Sequence, residues 1–374
     1  MLSAIGFGCM RLPEDNSLAI PMIRRAVELG INYFETSTTY CDRRSEIQVG
    51  LGLKGLRDDV YISTKSHVYK KGQRSRRGLA ERDSTGEDFK NVLNESLHKL
   101  GTDYVNFYQF HGLTYENLPV ALAEDGPLDA LKDAKDHGKI GHIGFTSHDT
   151  TENLIKILDT GEFESMTVYH NILQIGGHHL EENVLPAIDH ARKMGVGVII
   201  MGPLGGGILG VPIEELRNLI PGTSNQVELA FRYLLSNPGI TIPISGMTRM
   251  SDVEENAKIA NTYKPLSTQE MNQVDKFAEK YSSLMGKFCT GCGYCQPCPQ
   301  GVRIPEIFRL MNIANIYGVK DWAKEMYANR LMGGHWGRAS ADLCIECGLC
   351  EEKCPQKLSI REDLKKAHTL LTST

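Results

Sequence analysis

The chain has 374 residues, of which 41% are hydrophobic and 23% are charged, and its formal net charge is -5. This length accommodates one large domain and one small domain, and the composition is that of an ordinary globular protein. The weakly acidic balance gives no basis for nucleic-acid binding, and no apolar run approaches the roughly 20 residues of a membrane-spanning helix.

The first two thirds of the sequence alternate between two patterns. Short apolar runs of strand type are followed by turns and then by about 10 to 15 residues with helical spacing. Because eight such units suit a closed cylinder better than an open sheet, the alternation predicts an α/β fold, a (β/α)8 TIM barrel. The predicted strands are AIGFG, INYFE, DVYIST, DYVNFYQF, HIGFTS, SMTVYH, GVGVII and GITIPI.

The ends of several predicted helices also carry recognisable signals. Glycines follow the helical runs at Gly30, Gly101, Gly138 and Gly195, where a left-handed residue commonly closes a helix. Ser251 stands three residues before Glu254, a spacing that predicts a capping box at the start of a helix.

Four chemically competent side chains fall at the ends of predicted strands. Glu35 and Tyr40 follow the second strand in NYFETSTTY, Lys65 ends the third in YISTKS, and His111 follows the fourth in NFYQFHG. Enzymes with this architecture place their working residues at the C-terminal ends of the strands. The set resembles the tetrad of the aldo/keto reductase family, and the resemblance continues through SEIQVGLGL, IGFTSH, MGPLGGG and IPISGMTRMSDVEEN.

This resemblance implies an oxidoreductase that interconverts a small-molecule carbonyl and an alcohol. A hydride that reaches a carbonyl carbon leaves charge on the oxygen, which a nearby acid must protonate. Tyr40 would be that acid, although its ordinary pKa of about 10 is high unless a buried ammonium favours the phenolate. Lys65 would supply the ammonium, Glu35 would keep it charged, and His111 would orient the oxygen; Glu35 stands where the family ordinarily has aspartate.

The same resemblance implies a nicotinamide cofactor, NADP(H) or NAD(H), at these strand ends. Ser147 and His148 would face the nicotinamide amide, and a glycine-rich backbone would approach the pyrophosphate. The pyrophosphate segment comprises Gly202, Pro203, Leu204, Gly205 and Gly207, and the adenosine end would contact Arg249, Glu255 and Asn256. Because Arg249 could pair with a 2′-phosphate, NADPH is favoured over NADH.

Two positions depart from the family pattern. The glutamine that usually contacts the nicotinamide corresponds to Met166, and the stacking tyrosine corresponds to Met201. No G-x-G-x-x-G fingerprint opens a strand-turn-helix unit, so the sequence does not indicate a Rossmann domain.

The alternation ends near Lys264, and a second domain is predicted to follow. The segment KPLSTQEMNQVDKFAEKYSSLMGKF indicates a helix. We therefore predict a barrel over residues 1–263, a helical linker over 264–285 and a second domain over 286–374. The segments IPEIFRLMNIANIYG and DWAKEMYANRLM favour a small α-helical ferredoxin-like iron-sulfur domain.

Eight of the ten cysteines form two tight groups in this second domain. In each group three cysteines are spaced three residues apart, and a Cys-Pro pair follows. The three spaced cysteines can bind three corners of one [4Fe-4S] cluster, and the cysteine before proline can be the fourth ligand of the other cluster. One predicted cluster is held by Cys289, Cys292, Cys295 and Cys354, and the other by Cys344, Cys347, Cys350 and Cys298. The pattern resembles bacterial-type dicluster ferredoxins, although only Gln296 and Pro297 separate Cys295 from Cys298 where three residues are usual; two zinc sites are the alternative.

Three functional interpretations follow. The first is a reductase whose clusters exchange electrons with an electron-transfer protein; the second gives the clusters a structural role; the third is a non-catalytic electron-transfer or regulatory subunit that binds nucleotide. Nicotinamides transfer hydride whereas clusters transfer single electrons, and no flavin motif is present to connect the two.

Grouped cysteines and an N-terminus without a secretory pattern predict a cytoplasmic protein.

Overall fold

The computed structural model describes residues 1–75, 78–173, 183–285, 289, 293, 295–334, 337–354 and 358–373. For residues 74–75, 78–79, 280–285 and 316 only the backbone is described.

Eight parallel strands form a closed barrel in which each strand pairs with the next along the chain and the last pairs with the first. All eight predicted strands are therefore confirmed. The strands are β1 Gly6–Gly8, β2 Tyr33–Glu35, β3 Tyr61–Ser66, β4 Val105–Phe110, β5 Ile140–Thr146, β6 Ser165–Tyr169, β7 Gly197–Met201 and β8 Ile242–Gly246. Two small antiparallel hairpins pair Arg74–Ser75 with Gly78–Leu79 and Met332–Gly334 with Gly337–Arg338.

The barrel interior is filled rather than open. Tyr33, Ile199, Ile242 and Ile244 form an apolar cluster against which Phe107 packs. Above it lies a polar layer, in which Gln109 donates to Ser63 Oγ at 2.8 Å and Thr167 donates to Gln109 at 2.7 Å. Because strand side chains alternate, the residue two positions after Ser63, which is Lys65, faces the same interior one layer higher.

Among the described residues, ten α-helices connect or follow the barrel strands. They are α1 Asn16–Glu28, α2 Ser45–Gly52, α3 Gly86–Leu100, α4 Leu118–Ala121, α5 Pro127–Asp136, α6 Thr151–Leu158, α7 Leu185–Lys193, α8 Glu214–Arg217, α9 Gln226–Leu235 and α10 Met250–Thr262. The four predicted closing glycines all have positive φ angles, as Gly101 does at 64°.

The predicted cap of α10 is wrong. The helix begins at Met250, so Ser251 lies inside its first turn. The carboxylate of Asp252 instead accepts from the backbone amides of Arg249 at 3.0 Å and Thr248 at 3.1 Å. A carboxylate in the third helical position reaches these amides directly, and it takes the role that the spacing had assigned to Ser251 and Glu254.

The C-terminal part is helical, as predicted. Its helices are α11 Thr268–Met285, α12 Ile304–Tyr317, α13 Lys320–Leu331, α14 Leu349–Glu352 and α15 Ile360–Thr372. Among the helices described, none is both long enough and apolar enough to cross a membrane.

The chain forms two compact units. The first contains the described residues of 1–171, 182–203 and 231–265, including every barrel strand. The second contains those of 172–181, 204–230 and 266–374. The segment that follows β7 is thus divided, because Pro203 belongs to the first unit and Leu204 to the second.

Glu46 of α2 is buried behind the strand that carries Lys65. Its carboxylate accepts a hydrogen bond from Thr64 at 2.7 Å, and burial raises the pKa of the carboxyl. The unfolded carboxyl has a lower pKa, so unfolding releases a proton at pH values between the unfolded and folded pKa values. The protonated Glu46 side chain therefore contributes stability at low pH, and this contribution is lost as the pH rises through the folded-state pKa. We expect Glu46→Gln to raise the melting temperature by about 2 to 4 °C at alkaline pH and to change it little at acidic pH.

Calorimetry at both pH values checks this expectation, with Glu116→Gln as the control because that side chain is 78% exposed. A Glu46→Gln variant that is destabilised equally at both pH values would show that the carboxylate is ionised and required in the folded protein.

Candidate functional site

The four predicted catalytic residues lie at the C-terminal ends of neighbouring strands. Glu35 ends β2, Lys65 lies near the end of β3, and His111 follows β4 directly. The Lys65 ammonium forms an ion pair with the Glu35 carboxylate and donates to the carbonyl of Thr36 at 2.9 Å. Lys65 is 1% exposed and Glu35 is 3% exposed, so the pair is removed from solvent.

Tyr40 completes this arrangement. Its ring lies 4.6 Å from Lys65 Nζ, and the His111 ring meets it edge-on with 5.6 Å between centroids. Burial lowers the pKa of Lys65 well below its ordinary value, whereas the carboxylate of Glu35, in direct contact, favours the ammonium. An ammonium held beside a phenol favours the phenolate, which makes the phenol a better proton donor.

His111 is held by two residues that the sequence did not identify. Its Nδ1 lies 3.0 Å from the hydroxyl of Ser37, which is fully buried. The ring of His67 stacks on the His111 ring at 3.9 Å with an angle of 14°. These two contacts fix the orientation of the imidazole. His67 comes directly after β3, so the strand-end rule that found Lys65 could have found it too.

The backbone after Tyr40 has an unusual conformation. Cys41, Asp42 and Arg43 have φ angles of 48°, 50° and 72°, a left-handed region that residues with a β-carbon seldom occupy. The thiol of Cys41 donates to the carbonyl of Met10 at 3.5 Å, and Arg44 donates to the carbonyl of Cys41 at 3.1 Å. These contacts anchor the turn that presents Tyr40 to Lys65.

The residues predicted at the nicotinamide and adenosine ends lie at the same rim of the barrel. Ser147, after β5, donates to the carbonyl of Leu113 at 2.6 Å, and Asn256 donates to the hydroxyl of Ser245 at 3.0 Å. The ring of His148 lies 6.3 Å from that of Tyr169. The Ser147 hydroxyl and the Asn256 side-chain amide therefore stabilise the rim through these hydrogen bonds. Their contact with a nucleotide stays a prediction.

Arg249 occupies the N-cap position of α10. Its guanidinium pairs with Asp252 at 2.9 Å and its side chain is 77% exposed. Glu255 is exposed one turn further along the helix. A 2′-phosphate at this position would add a second anionic partner to a guanidinium that already has one.

The correspondence of Met166 with the family glutamine is wrong. Met166 is fully buried, and it lies on the opposite face of β6 from Thr167, which contacts Gln109 inside the barrel. Thr167 and Tyr169 therefore occupy the inward positions of this strand. Met201 is partly buried and packs against the apolar cluster of the interior.

Several glycines of the segment after β7 have positive φ angles. A β-carbon on Gly202 would lie 2.1 Å from the ring of Tyr169, so only glycine fits there. In the second unit Gly205, Gly206 and Gly207 have φ angles of 60°, 72° and 105°, and Gly207 donates to the carbonyl of Leu204 at 3.0 Å. Because such turns direct backbone amides toward one point, the segment fits an anionic phosphate group.

Five cysteines of the second unit line one cavity. Four of its lining residues are those predicted for one cluster, and Cys295, predicted for the other, also lines it; the lining cysteines are Cys295, Cys298, Cys344, Cys347 and Cys350. This donor set fits a cubane, which needs four thiolates. Cys289 and Cys354 are half-buried and do not line the cavity, and Cys292 lies outside the described residues.

Residues 4–226 match the model of the aldo/keto reductase family. The chain belongs to this family. Residues 288–358 match the model of a 4Fe-4S dicluster domain, so this aldo/keto reductase carries an iron-sulfur domain at its C-terminal end.

Relatives of this aldo/keto reductase cover about three quarters of the chain. It is 28% identical to an L-galactose dehydrogenase of Arabidopsis thaliana over 309 residues, which are 76% of this chain and 92% of the relative. It is similar to the holo form of an aldo-keto reductase from Bacillus halodurans, with 26% identity, a TM-score of 0.61 and coverage of 74% and 92%. A Klebsiella pneumoniae aldo/keto reductase crystallised with NADP and acetate shares the fold at 21% identity and a TM-score of 0.57, with the same coverage.

Proposed function

We propose that this aldo/keto reductase reduces a carbonyl or oxidises an alcohol with NADP(H), and that its C-terminal domain holds two [4Fe-4S] clusters for electron transfer. The observation that carries the catalytic part is the buried ammonium of Lys65 between the Glu35 carboxylate and the Tyr40 ring. Burying these two charges carries a desolvation penalty in the free energy of folding. A role in catalysis accounts for a buried ion pair at this position.

Each residue of the site has a role in this proposal. A bound nicotinamide supplies the hydride for the carbonyl carbon. The Tyr40 hydroxyl donates its proton to the carbonyl oxygen, and the Lys65 ammonium stabilises the phenolate that remains. Glu35 keeps Lys65 protonated, and His111, held by Ser37, orients the oxygen. In the oxidative direction the Tyr40 phenolate accepts the proton of the alcohol.

The identity of the cofactor and substrate rests on two further points. The Klebsiella pneumoniae protein of the same fold binds NADP, and Arg249 offers a guanidinium at the rim for a 2′-phosphate, which favours NADPH. The Arabidopsis relative is an L-galactose dehydrogenase, so small aldoses and their lactones or alcohols are the first substrates to assay.

The clusters are proposed on the sulfur ligands. Cys298, Cys344, Cys347 and Cys350 line one cavity and would hold one cluster, and Cys289, Cys292, Cys295 and Cys354 would hold the other. Bound clusters supply one-electron chemistry. Cys347 is exposed, so an electron-transfer protein could approach that cluster closely. Thiolate-bound iron also favours a reducing compartment, and we propose the cytoplasm.

Anaerobically purified protein tests the proposal. We expect wild-type protein to oxidise NADPH in the presence of an aldehyde or aldose and His111→Ala to lower kcat/KM about 100-fold, because the substrate oxygen loses its orienting group. His137→Ala, at a histidine whose side chain is 70% exposed, is the matched control. NADPH binding without turnover of any carbonyl would instead identify a non-catalytic nucleotide-binding subunit.

A further inference from the structure

Three aromatic rings follow one another in the barrel unit, and the first of them belongs to the candidate active site. The His67 ring stacks on the His111 ring with 3.9 Å between centroids and an angle of 14°. It also stacks on the Tyr69 ring, at 5.5 Å and 27°. We call His111, His67 and Tyr69 the ring stack. All three residues belong to the first compact unit.

The hydrogen bond to Ser37 does not by itself hold the His111 ring in one plane. It fixes one corner of the imidazole, because Nδ1 lies 3.0 Å from the serine hydroxyl. A hydroxyl follows small rotations of its partner, and the χ2 torsion of histidine has a broad energy profile. A second ring packed face to face restricts this rotation, since turning about χ2 drives the imidazole into its neighbour. The direction of Nε2 of His111 therefore depends on His67.

The backbone that carries the other two rings is itself anchored. His67 directly follows β3. Val68, between the two rings, is 3% exposed, and its carbonyl accepts from the side-chain amide of Asn117 at 3.4 Å. The amide of Tyr69 donates to the hydroxyl of Ser84 at 2.9 Å, and its carbonyl accepts from the Ser84 amide at 2.8 Å. Because their backbone is held in this way, these rings can restrain the third ring of the stack.

We propose that His67 is a positioning residue, which raises kcat by holding the His111 imidazole in the plane that presents Nε2 to the substrate oxygen. The proposal rests on the proposed function, because it requires a carbonyl or alcohol oxygen at His111. His67 acts through His111 and transfers neither hydride nor proton. Tyr69 has the same role one ring further away, so its contribution is smaller. A small displacement of an orienting group slows the chemical step, so the effect falls on kcat.

Steady-state kinetics of His67→Leu, with an aldehyde or aldose that the wild type reduces, tests the assignment. We expect kcat to fall about tenfold, because leucine fills the space without offering a flat face, and KM and NADPH affinity to change little. His67→Phe keeps a flat ring and should recover most of the wild-type kcat. The matched control is His142→Leu, at a histidine that is 51% exposed and stacks on Phe107 at 5.1 Å; it should leave the rate unchanged.

A double-mutant cycle separates positioning from packing. In the His111→Ala background, His67→Leu should cause no further loss of kcat, because the group that His67 positions is gone. Tyr69→Leu should lower kcat about threefold in the wild-type background and should also have no effect beside His111→Ala. This second variant supplies the same test if His67→Leu protein does not bind NADPH.

Four results would overturn the assignment while leaving the reductase intact. They are a wild-type kcat in both leucine variants, an equal loss with and without His111, a raised KM at unchanged kcat, and a His67→Phe variant that binds NADPH but is as slow as His67→Leu. A wild-type protein that binds NADPH and reduces no carbonyl would instead contradict the proposed function.

Discussion

The Tyr40→Phe variant is expected to lose about 10³-fold in kcat/KM for carbonyl reduction while its barrel and its clusters remain intact. The substitution removes one oxygen and leaves the ring over Lys65 Nζ at 4.6 Å. Without the hydroxyl, no proton donor adjoins the oxygen that becomes negative during hydride transfer. Because proton donation acts on the transition state, kcat should fall far more than KM rises.

Steady-state kinetics under anaerobic conditions measures this effect, and NADPH titration shows whether cofactor binding is preserved. Tyr115→Phe makes the same deletion at a tyrosine that is 44% exposed and should leave the rate unchanged. If Tyr40→Phe reduces carbonyls at the wild-type rate, the proposed role of the tetrad is wrong.

Replacing two cysteines at once should reveal which of them share a cluster. The double variant Cys298→Ala/Cys344→Ala removes two ligands from a single cluster in our assignment, so about four of the roughly eight irons should remain with one intact cluster. The assignment combines the cysteine spacing with the structure, because all four cysteines assigned to this cluster line one cavity. Iron and sulfide analysis of the anaerobic protein measures the outcome.

The matched comparison is Cys298→Ala/Cys289→Ala, which removes one ligand from each cluster and should leave neither intact. The control Cys41→Ser, at a half-buried cysteine outside both groups, should keep all of the iron. If the two double variants exchange these outcomes, Cys298 belongs to the same cluster as Cys289. Zinc in place of iron would exclude both clusters.

The strand pattern was sufficient to predict the barrel and to bring the tetrad together. Eight apolar runs predict eight strands whose ends meet at one rim, and the resemblance to the aldo/keto reductases selects Glu35, Lys65 and His111 among the residues at that rim. Cysteine spacing likewise predicted the dicluster domain that the family model matches.

Other features depend on contacts or conformations that the local pattern does not contain. Met166 was matched to the family glutamine, but it faces away from the barrel interior, because a shift of one residue along a strand exchanges inside and outside. The left-handed residues after Tyr40 include no glycine, so the sequence carried no turn signal there.

The turn at Cys41–Arg43 has a consequence for how this enzyme could evolve. Each of its three residues occupies a conformation that is unfavourable by about 1 kcal/mol or more for a side chain with a β-carbon. A chain that relaxed the turn would gain stability and displace the phenol. Selection for higher folding stability and selection for a higher catalytic rate therefore act in opposite directions at these positions.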